Sequence, residues 1–226
     1  MKHVLKSQKD EPASLKNYRK ETPNASYSGY GDKNLVDPKD TMPPLKHALA
    51  VVQGFICCYC MARIDEARMS VEHYVPQKHD VSSPLTPEAH KVLDLDFMNM
   101  LGSCNEEGAR NCSGVRGNTW LTIDPRKKEC ETLIRFDKNG IASASKEEIE
   151  KDIGTLDLNS QTLVQNRKAV IEIANARIRS IKEKGFYSVN KLEKEIDYWI
   201  GATKGKHFEY CLAAVHYLQS KMQKAS

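Results

Sequence analysis

Long apolar runs are missing from this chain. The two longest, Ala48 to Val52 and Phe55 to Ala62, fall far short of the ~18–20 residues a membrane helix needs and are split by Gln53 and Gly54. The opening residues, Met1 to Glu11, are charged and lack the apolar stretch of a secretory signal. Membrane-helix and secreted classes are thereby set aside, and a cytoplasmic protein is expected. There is also no internal repeat and no low-complexity tract. A strong charge of one sign is absent too: 34 basic against 30 acidic side chains leave a net +4, which permits a polyanionic partner without announcing one. What remains is a globular composition of 226 residues, long enough to bury a core without covalent staples.

Cysteine, by contrast, is plentiful. Seven thiols, an odd number, in a chain expected to stay in a reducing compartment do not form a disulfide framework. Metal ligation is the first alternative. Cys57 and Cys60 form a C-x-x-C pair, and Cys104 and Cys112 a second, wider pair in another glycine-containing stretch. Four thiolates can close a tetrahedral zinc site, and the longer second spacing only requires the chain to make an excursion before returning. Unligated thiols, or a mixed set that includes Cys58, are the competing readings. A redox C-x-x-C belongs at a helix N-terminus in a βαβ unit, whereas here a helix precedes the pair. Cys130 has no partner at ligand spacing, and Cys211 falls on an apolar helix stripe.

The pattern along the chain divides it into three. Residues 1–44, rich in Lys, Asp, Ser, Pro and Gly, are expected to form an extended N-terminal arm with turns at Tyr30-Gly31-Asp32 and Pro43-Pro44. In residues 45–143, Leu45, Ala48, Leu49 and Val52 predict a helix that Gly54 ends and that delivers the chain into Cys57-Cys58-Tyr59-Cys60. The stretch from Cys57 to Asn118 is irregular, which raises the value of a metal cross-link. Ser70 to Val75 reads as a strand ended by Pro76, and Leu133–Phe136 with Ile141–Ser143 as a hairpin turned at Asn139-Gly140. Residues 144–226 read as helical. A Ser145/Glu148 capping box opens a short helix carrying Ile149 and Ile153. Three apolar stripes follow: Leu163 to Ile181, Val189 to Trp199, and Phe208 to Met222.

Between the cysteine pairs lie Glu72-His73-x-x-Pro76 and Asn99-Met100-Leu101, and after the last cysteine comes Ser113-Gly114-Val115-Arg116-Gly117-Asn118. This order resembles the HNH nuclease family. The Pro12-to-Arg19 opening, Cys-Cys-Tyr-Cys, Leu156-Asp157-Leu158-Asn159 and Gln165-Asn166-Arg167-Lys168 are similar to the PtuB-type HNH proteins of Septu and some retron antiphage systems. The resemblance implies an α+β, mainly α-helical fold: a zinc-stabilised ββα-metal (HNH) core with an N-terminal arm and C-terminal helices. It further implies metal-dependent hydrolysis of phosphodiester bonds in DNA or RNA.

In that frame His73 is the general base, since a neutral imidazole accepts a proton near neutral pH. Glu72 is the ligand of a catalytic Mg²⁺ or Mn²⁺, and Asn99 holds the loop that orients the base. Neighbours on a strand face opposite ways, so Glu72 and His73 serve one site only if the strand ends there. The chain departs from the family directly after the last zinc cysteine, where relatives carry His or Asn and this sequence has Ser113. Asn105 and Asn118 are the substitutes, and Arg116 is either a phosphate contact or an exposed side chain. The expected partners are a PtuA-like ABC ATPase, reached through the arm and the C-terminal helices, and a retron nucleic acid. A zinc-stabilised binding module without activity is the alternative, favoured by Ser113. The basic clusters at Arg126–Lys128, Arg177–Lys184 and Lys204–His207 have Glu neighbours and read as solvated faces.

Overall fold

The computed structural model describes residues 1–30, 44–104, 111–180 and 187–223. The helices are α1 (Ala13–Glu21), α2 (Tyr27–Tyr30), α3 (Pro44–Val52), α4 (Pro87–Leu93), α5 (Ser113–Arg116), α6 (Cys130–Leu133), α7 (Glu147–Thr155), α8 (Gln161–Arg179), α9 (Val189–Ile200) and α10 (Cys211–Met222). Short 3₁₀ turns lie at Gln8–Asp10 and Phe97–Asn99. The strands are β1 (Met69–His73), β2 (Met100–Cys104), β3 (Arg135–Phe136), β4 (Ala142–Ser143), β5 (Ala202–Thr203) and β6 (Lys206–His207), paired in sequence order as three two-stranded antiparallel sheets. The fold is therefore mixed α and β, with about half of the described residues helical. No helix among the described residues is long and apolar enough to cross a membrane.

The C-terminal part is organised around α10, whose residues from Cys211 to Leu218 are all buried. A helix apolar on every side must be covered all round, and α8, α9 and β3 pack against it. The stripe residues Leu163, Ile171, Ala174, Ile178, Leu192 and Trp199 face inward as their spacing predicts. Ile181 falls outside the described residues. The β3–β4 hairpin forms with the expected turn, Gly140 taking a φ of +85°. Leu133, however, belongs to α6, so the first strand starts later than the sequence suggests. The capping box at Ser145 does not form: α7 begins at Glu147 without a side-chain cap, and Glu150 instead accepts from the Ala144 N–H at 2.7 Å.

The N-terminal segment departs most from expectation. Residues 1–30 are not an extended arm but a helical segment laid on the core, with Met1, Val4, Leu15 and Tyr30 buried. Its apolar anchors are widely spaced among charged residues, so no periodicity reveals them. Tyr18, Tyr27 and Tyr30 form their own ring cluster, with Tyr30 5.4 Å from Tyr18 and 6.5 Å from Tyr27. Gly31, Asp32 and Pro43 of the anticipated turns lie outside the described residues. At the other end of the segment, Val4 N–H donates to Pro125 O at 2.8 Å and Lys2 pairs with Glu131 at 2.8 Å. In two of the basic clusters Arg126 pairs with Asp124, Lys128 with Glu131, and Arg177 with Glu195.

Glu131 joins the segment to α6. Partial burial works against its ionisation, but Lys128, Lys2 and the His3 N–H outweigh this and hold its pKa down at about 2, against an ordinary value of 4.5. A depressed carboxylate stabilises the fold above its unfolded pKa and loses that contribution as pH falls through its folded one. Glu131→Gln should therefore cost about 1–2 kcal/mol at pH 7, after allowance for solvent screening. The difference from wild type should shrink below pH ~4.5 and vanish near pH ~2, as measured by denaturant unfolding across that range.

Candidate metal centre and active site

The helix α3 ends at Gly54, whose φ is +58°, and Phe55 is also left-handed at +59°. A side chain on Gly54 would collide with the His207 ring, which packs against the position a Cβ would take. Gln53, buried at this turn, donates to Ile56 O and Gly102 O and accepts from Gly102 N–H at 2.6–2.9 Å. It thus fastens the end of α3 to β2. The chain then turns sharply: Met61 N–H bonds to Cys57 O and Cys57 N–H to Ala62 O, with Ala62 N–H pointing at the Cys60 sulfur at 3.4 Å. Both cysteines of the first pair are presented on one side of this knuckle.

Cys104 ends β2, and Cys112, with a φ of +54°, precedes α5. All four sulfurs are buried and lie within 4.8 Å of one another, with Cys57 to Cys112 at 3.9 Å and Cys60 to Cys104 at 3.7 Å. Zinc–thiolate bonds of ~2.3 Å in a tetrahedron put sulfurs about 3.8 Å apart. A disulfide would need ~2.05 Å. The cluster therefore has the donor set and spacing to hold a zinc ion. At Cys57, burial opposes ionisation, but hydrogen bonds from the neighbouring thiols prevail and bring its pKa well below the usual value. Cys60 and Cys112 are pushed well above it, chiefly by their bonds to Cys104. Four thiolates this close require a cation between them. Cys58 stays outside the cluster, which removes it from the ligand set, and Cys130 and Cys211 are buried elsewhere in the core.

The strand β1 runs antiparallel to β2 with Glu72 opposite Leu101 and His73 opposite Met100. It ends at His73, so the alternation that would separate the two side chains stops there. Glu72, His73, Gln77 and Asn118 line one cavity of about 100 Å³, room for an ion with a few waters. His73 is 6% exposed, and its Nε2 lies 2.9 Å from Asp94 O. A carbonyl only accepts, so Nε2 carries the hydrogen of the neutral ring and Nδ1 is the basic nitrogen. Burial lowers the His73 pKa, against the opposing pull of the Asp94 carbonyl and carboxylate.

Asn99 is buried at the end of its 3₁₀ turn. Its Oδ1 accepts from Val75 N–H at 2.8 Å, and its Nδ2 donates to Val75 O and Leu93 O at 3.0 and 3.1 Å. One side chain thereby ties the chain leaving β1 to the chain leaving α4, next to the Asp94 carbonyl that holds His73. It lies behind the cavity, not in its wall.

Arg116 meets neither expectation. It is 2% exposed, and its guanidinium donates to Glu72 Oε1, Tyr59 Oη at 2.8 Å, His73 O at 3.1 Å and Tyr74 O at 2.6 Å. A basic residue one turn into α5 is close enough to the end of β1 to neutralise Glu72 from inside, which its sequence position does not reveal. Tyr59 also donates to Glu72 Oε1, at 2.8 Å. Among the described residues Oε2 of Glu72 accepts no hydrogen bond. Ser113 turns to Ser70, with the hydroxyl oxygens 3.0 Å apart, while Asn118 reaches the cavity wall. Asn105 lies outside the described residues. Tyr59 and Gln77 had no spacing signal to mark them, although Tyr59 sits inside the Cys-x-x-Cys knuckle. A larger polar cavity of about 440 Å³ beside the cysteines, lined by Cys60, Cys104, Arg63 and Tyr210 among others, contains neither Glu72 nor His73.

No protein-family model matches the chain. Among curated proteins it is 24% identical over 159 residues to a protein of Vibrio cholerae serotype O1 biovar El Tor named "Retron Vc95 putative HNH endonuclease". The match covers 66% of this chain and 74% of that protein. The similarity supports a nuclease of the HNH kind.

Purified protein should contain about one zinc per chain by elemental analysis. Cys60→Ser should lose that metal and at least ~3 kcal/mol of stability in chelator-free unfolding, because the sulfur cluster closes an otherwise irregular stretch. Retention of both metal and stability would refute the assignment.

Proposed function

We propose that this protein is a metal-dependent HNH endonuclease that hydrolyses phosphodiester bonds of DNA or RNA. The observation that carries the reading is the meeting of Glu72, His73 and Asn118 in one cavity, with Asn99 fastening the loop behind His73. β1, β2 and α5 serve as the ββα-metal frame, closed by a structural zinc ion on Cys57, Cys60, Cys104 and Cys112.

Glu72, through its unpartnered Oε2, and Asn118 are the residues that would hold a catalytic Mg²⁺ or Mn²⁺. Such an ion supplies positive charge to the scissile phosphate and the leaving oxygen. His73 takes the proton of the attacking water at Nδ1, while its Nε2–H stays with Asp94 O. Asn99 is a positioning residue. Arg116 does not reach for substrate: it pairs with Glu72, opposing the burial that raises the pKa of that carboxyl, and braces the carbonyls of His73 and Tyr74. Its pairing with Glu72 is also the observation that favours the second reading, a zinc-stabilised binding module in which the arginine takes the place of the ion.

The retron in the relative's name, taken with the motifs similar to PtuB-type proteins, is what favours placing the chain in a retron antiphage system of that type. Its partners there are a PtuA-like ABC ATPase and a retron nucleic acid. DNA and RNA, transfer RNA included, are both substrates to be tried, because the sequence around the motif has too few aromatics to indicate base stacking.

The test is cleavage of plasmid DNA and of total transfer RNA with Mg²⁺ or Mn²⁺, with and without the ATPase. His73→Ala should reduce cleavage by roughly 100-fold or more while zinc content and melting temperature stay at wild-type values. Asn118→Ala should raise the Mg²⁺ or Mn²⁺ concentration needed for half-maximal rate by roughly 10-fold or more, and Ser113→Ala should leave it unchanged. Wild-type cleavage by His73→Ala in a preparation free of contaminating nuclease would sink the His73 assignment, and no nuclease activity under any of these conditions would leave the binding module as the better account.

A further inference from the structure

The imidazole of His73 has one hydrogen bond among the described residues, from Nε2 to Asp94 O at 2.9 Å. A single in-plane bond fixes one direction of a ring whose outer torsion is intrinsically broad and two-fold. It does not by itself keep the ring from swinging out of that bond. The second hold comes from far away in sequence. The ring of Tyr27 meets His73 edge to face, with centroids 4.7 Å apart and an interplanar angle of 78°.

The same residue secures the acceptor. Tyr27 N–H donates to Asp94 Oδ2 at 2.7 Å, while the other carboxylate oxygen takes Gln77 Nε2 at 2.7 Å. Asp94 thus receives its side-chain bonds from the N-terminal segment and from the cavity wall, and offers its carbonyl to His73. Two more residues of the segment grip the following turn. Arg19 donates to Leu95 O at 2.8 Å. Lys6, 9% exposed, donates to Phe97 O at 2.6 Å and to Met100 O, bracketing Asn99. The side chains of Lys6, Arg19 and Tyr27 and the Tyr27 backbone amide therefore converge on His73 and on the loop that orients it.

We propose that residues 1–30 are a built-in positioning element of the active site, with Tyr27 as the positioning residue that fixes the His73 imidazole. The inference rests on the nuclease reading for its catalytic consequence, but not for the placement of the ring.

Two measurements on the full-length, zinc-loaded protein test it. In the cleavage assay, Tyr27→Ala should lower kcat by roughly 10- to 100-fold with KM changed less than ~2-fold, because substrate contacts are untouched while the base is misplaced. Tyr27→Phe, which keeps the ring, should restore kcat to within ~3-fold of wild type. By ¹H–¹⁵N correlation of the imidazole, wild type and Tyr27→Phe should show His73 as a single Nε2–H tautomer, and Tyr27→Ala a mixture. If Tyr27→Ala loses zinc or its melting transition, Arg19→Ala, which removes the bond to Leu95 O from a partly exposed side chain, takes its place with the same expected direction. A wild-type kcat and a single tautomer in the alanine variant, or a phenylalanine variant as impaired as the alanine one, would overturn the proposal. Were the wild type to cleave nothing, the nuclease reading would fall and the tautomer spectra alone would decide the role of Tyr27.

Discussion

Four sulfurs drawn within 4.8 Å of one another set the terms for the rest of the molecule. They belong to the knuckle after α3, the end of β2 and the residue before α5, three places with few hydrogen bonds in common. Between Cys57 and Asn118 the chain has little periodic apolar sequence, so packing alone gives weak reason for β1, β2 and α5 to share one site. A metal ion held by these sulfurs would change the balance, because ligand binding free energy becomes folding free energy where no preformed site exists in the unfolded chain. Gln53 adds a polar fastening next to it, holding both edges of Gly102.

From that knot outward, the site is made of polar groups buried under constraint. Each has its partners supplied by backbone: Asn99 by Val75 and Leu93, His73 by Asp94, Arg116 by the carbonyls of His73, Tyr74 and Thr119. An unsatisfied polar group in such a place costs on the order of 1–3 kcal/mol, so these bonds hold the loops to one arrangement. The Glu72–Arg116 pair follows the same logic. A carboxylate at 12% side-chain exposure beside a nearly inaccessible guanidinium is tolerated because each compensates the other. The result is a small preorganised cavity with one carboxylate oxygen left over.

The N-terminal segment belongs to this scheme as much as the four clustered cysteines do. Its charged appearance conceals three aliphatic anchors and three tyrosines, and it carries Lys6, Arg19 and Tyr27 to the back of the loop behind His73. A stretch that composition marks as a free arm is instead a buttress, since the core supplies the apolar surface that the stretch lacks by itself.

Glu72, His73 and Asn99 were marked only through the family resemblance, whereas spacing and residue type alone brought out the cysteine quartet, the inward faces of α8, α9 and α10, and the hairpin at Gly140. Each is a local or periodic property, set by ligand chemistry, helical repeat or turn conformation. The pairing of Arg116 with Glu72, the turn of Ser113 toward Ser70, the arrival of Asn118 in the cavity and the packing of Tyr27 on His73 were decided only by tertiary structure. Such contacts join residues far apart along the chain, 44 positions for Glu72 and Arg116 and 43 for Ser70 and Ser113. No local pattern encodes a meeting at that separation; it follows from where the sulfur knot places β1 against α5 and from the core surface on which the N-terminal segment settles.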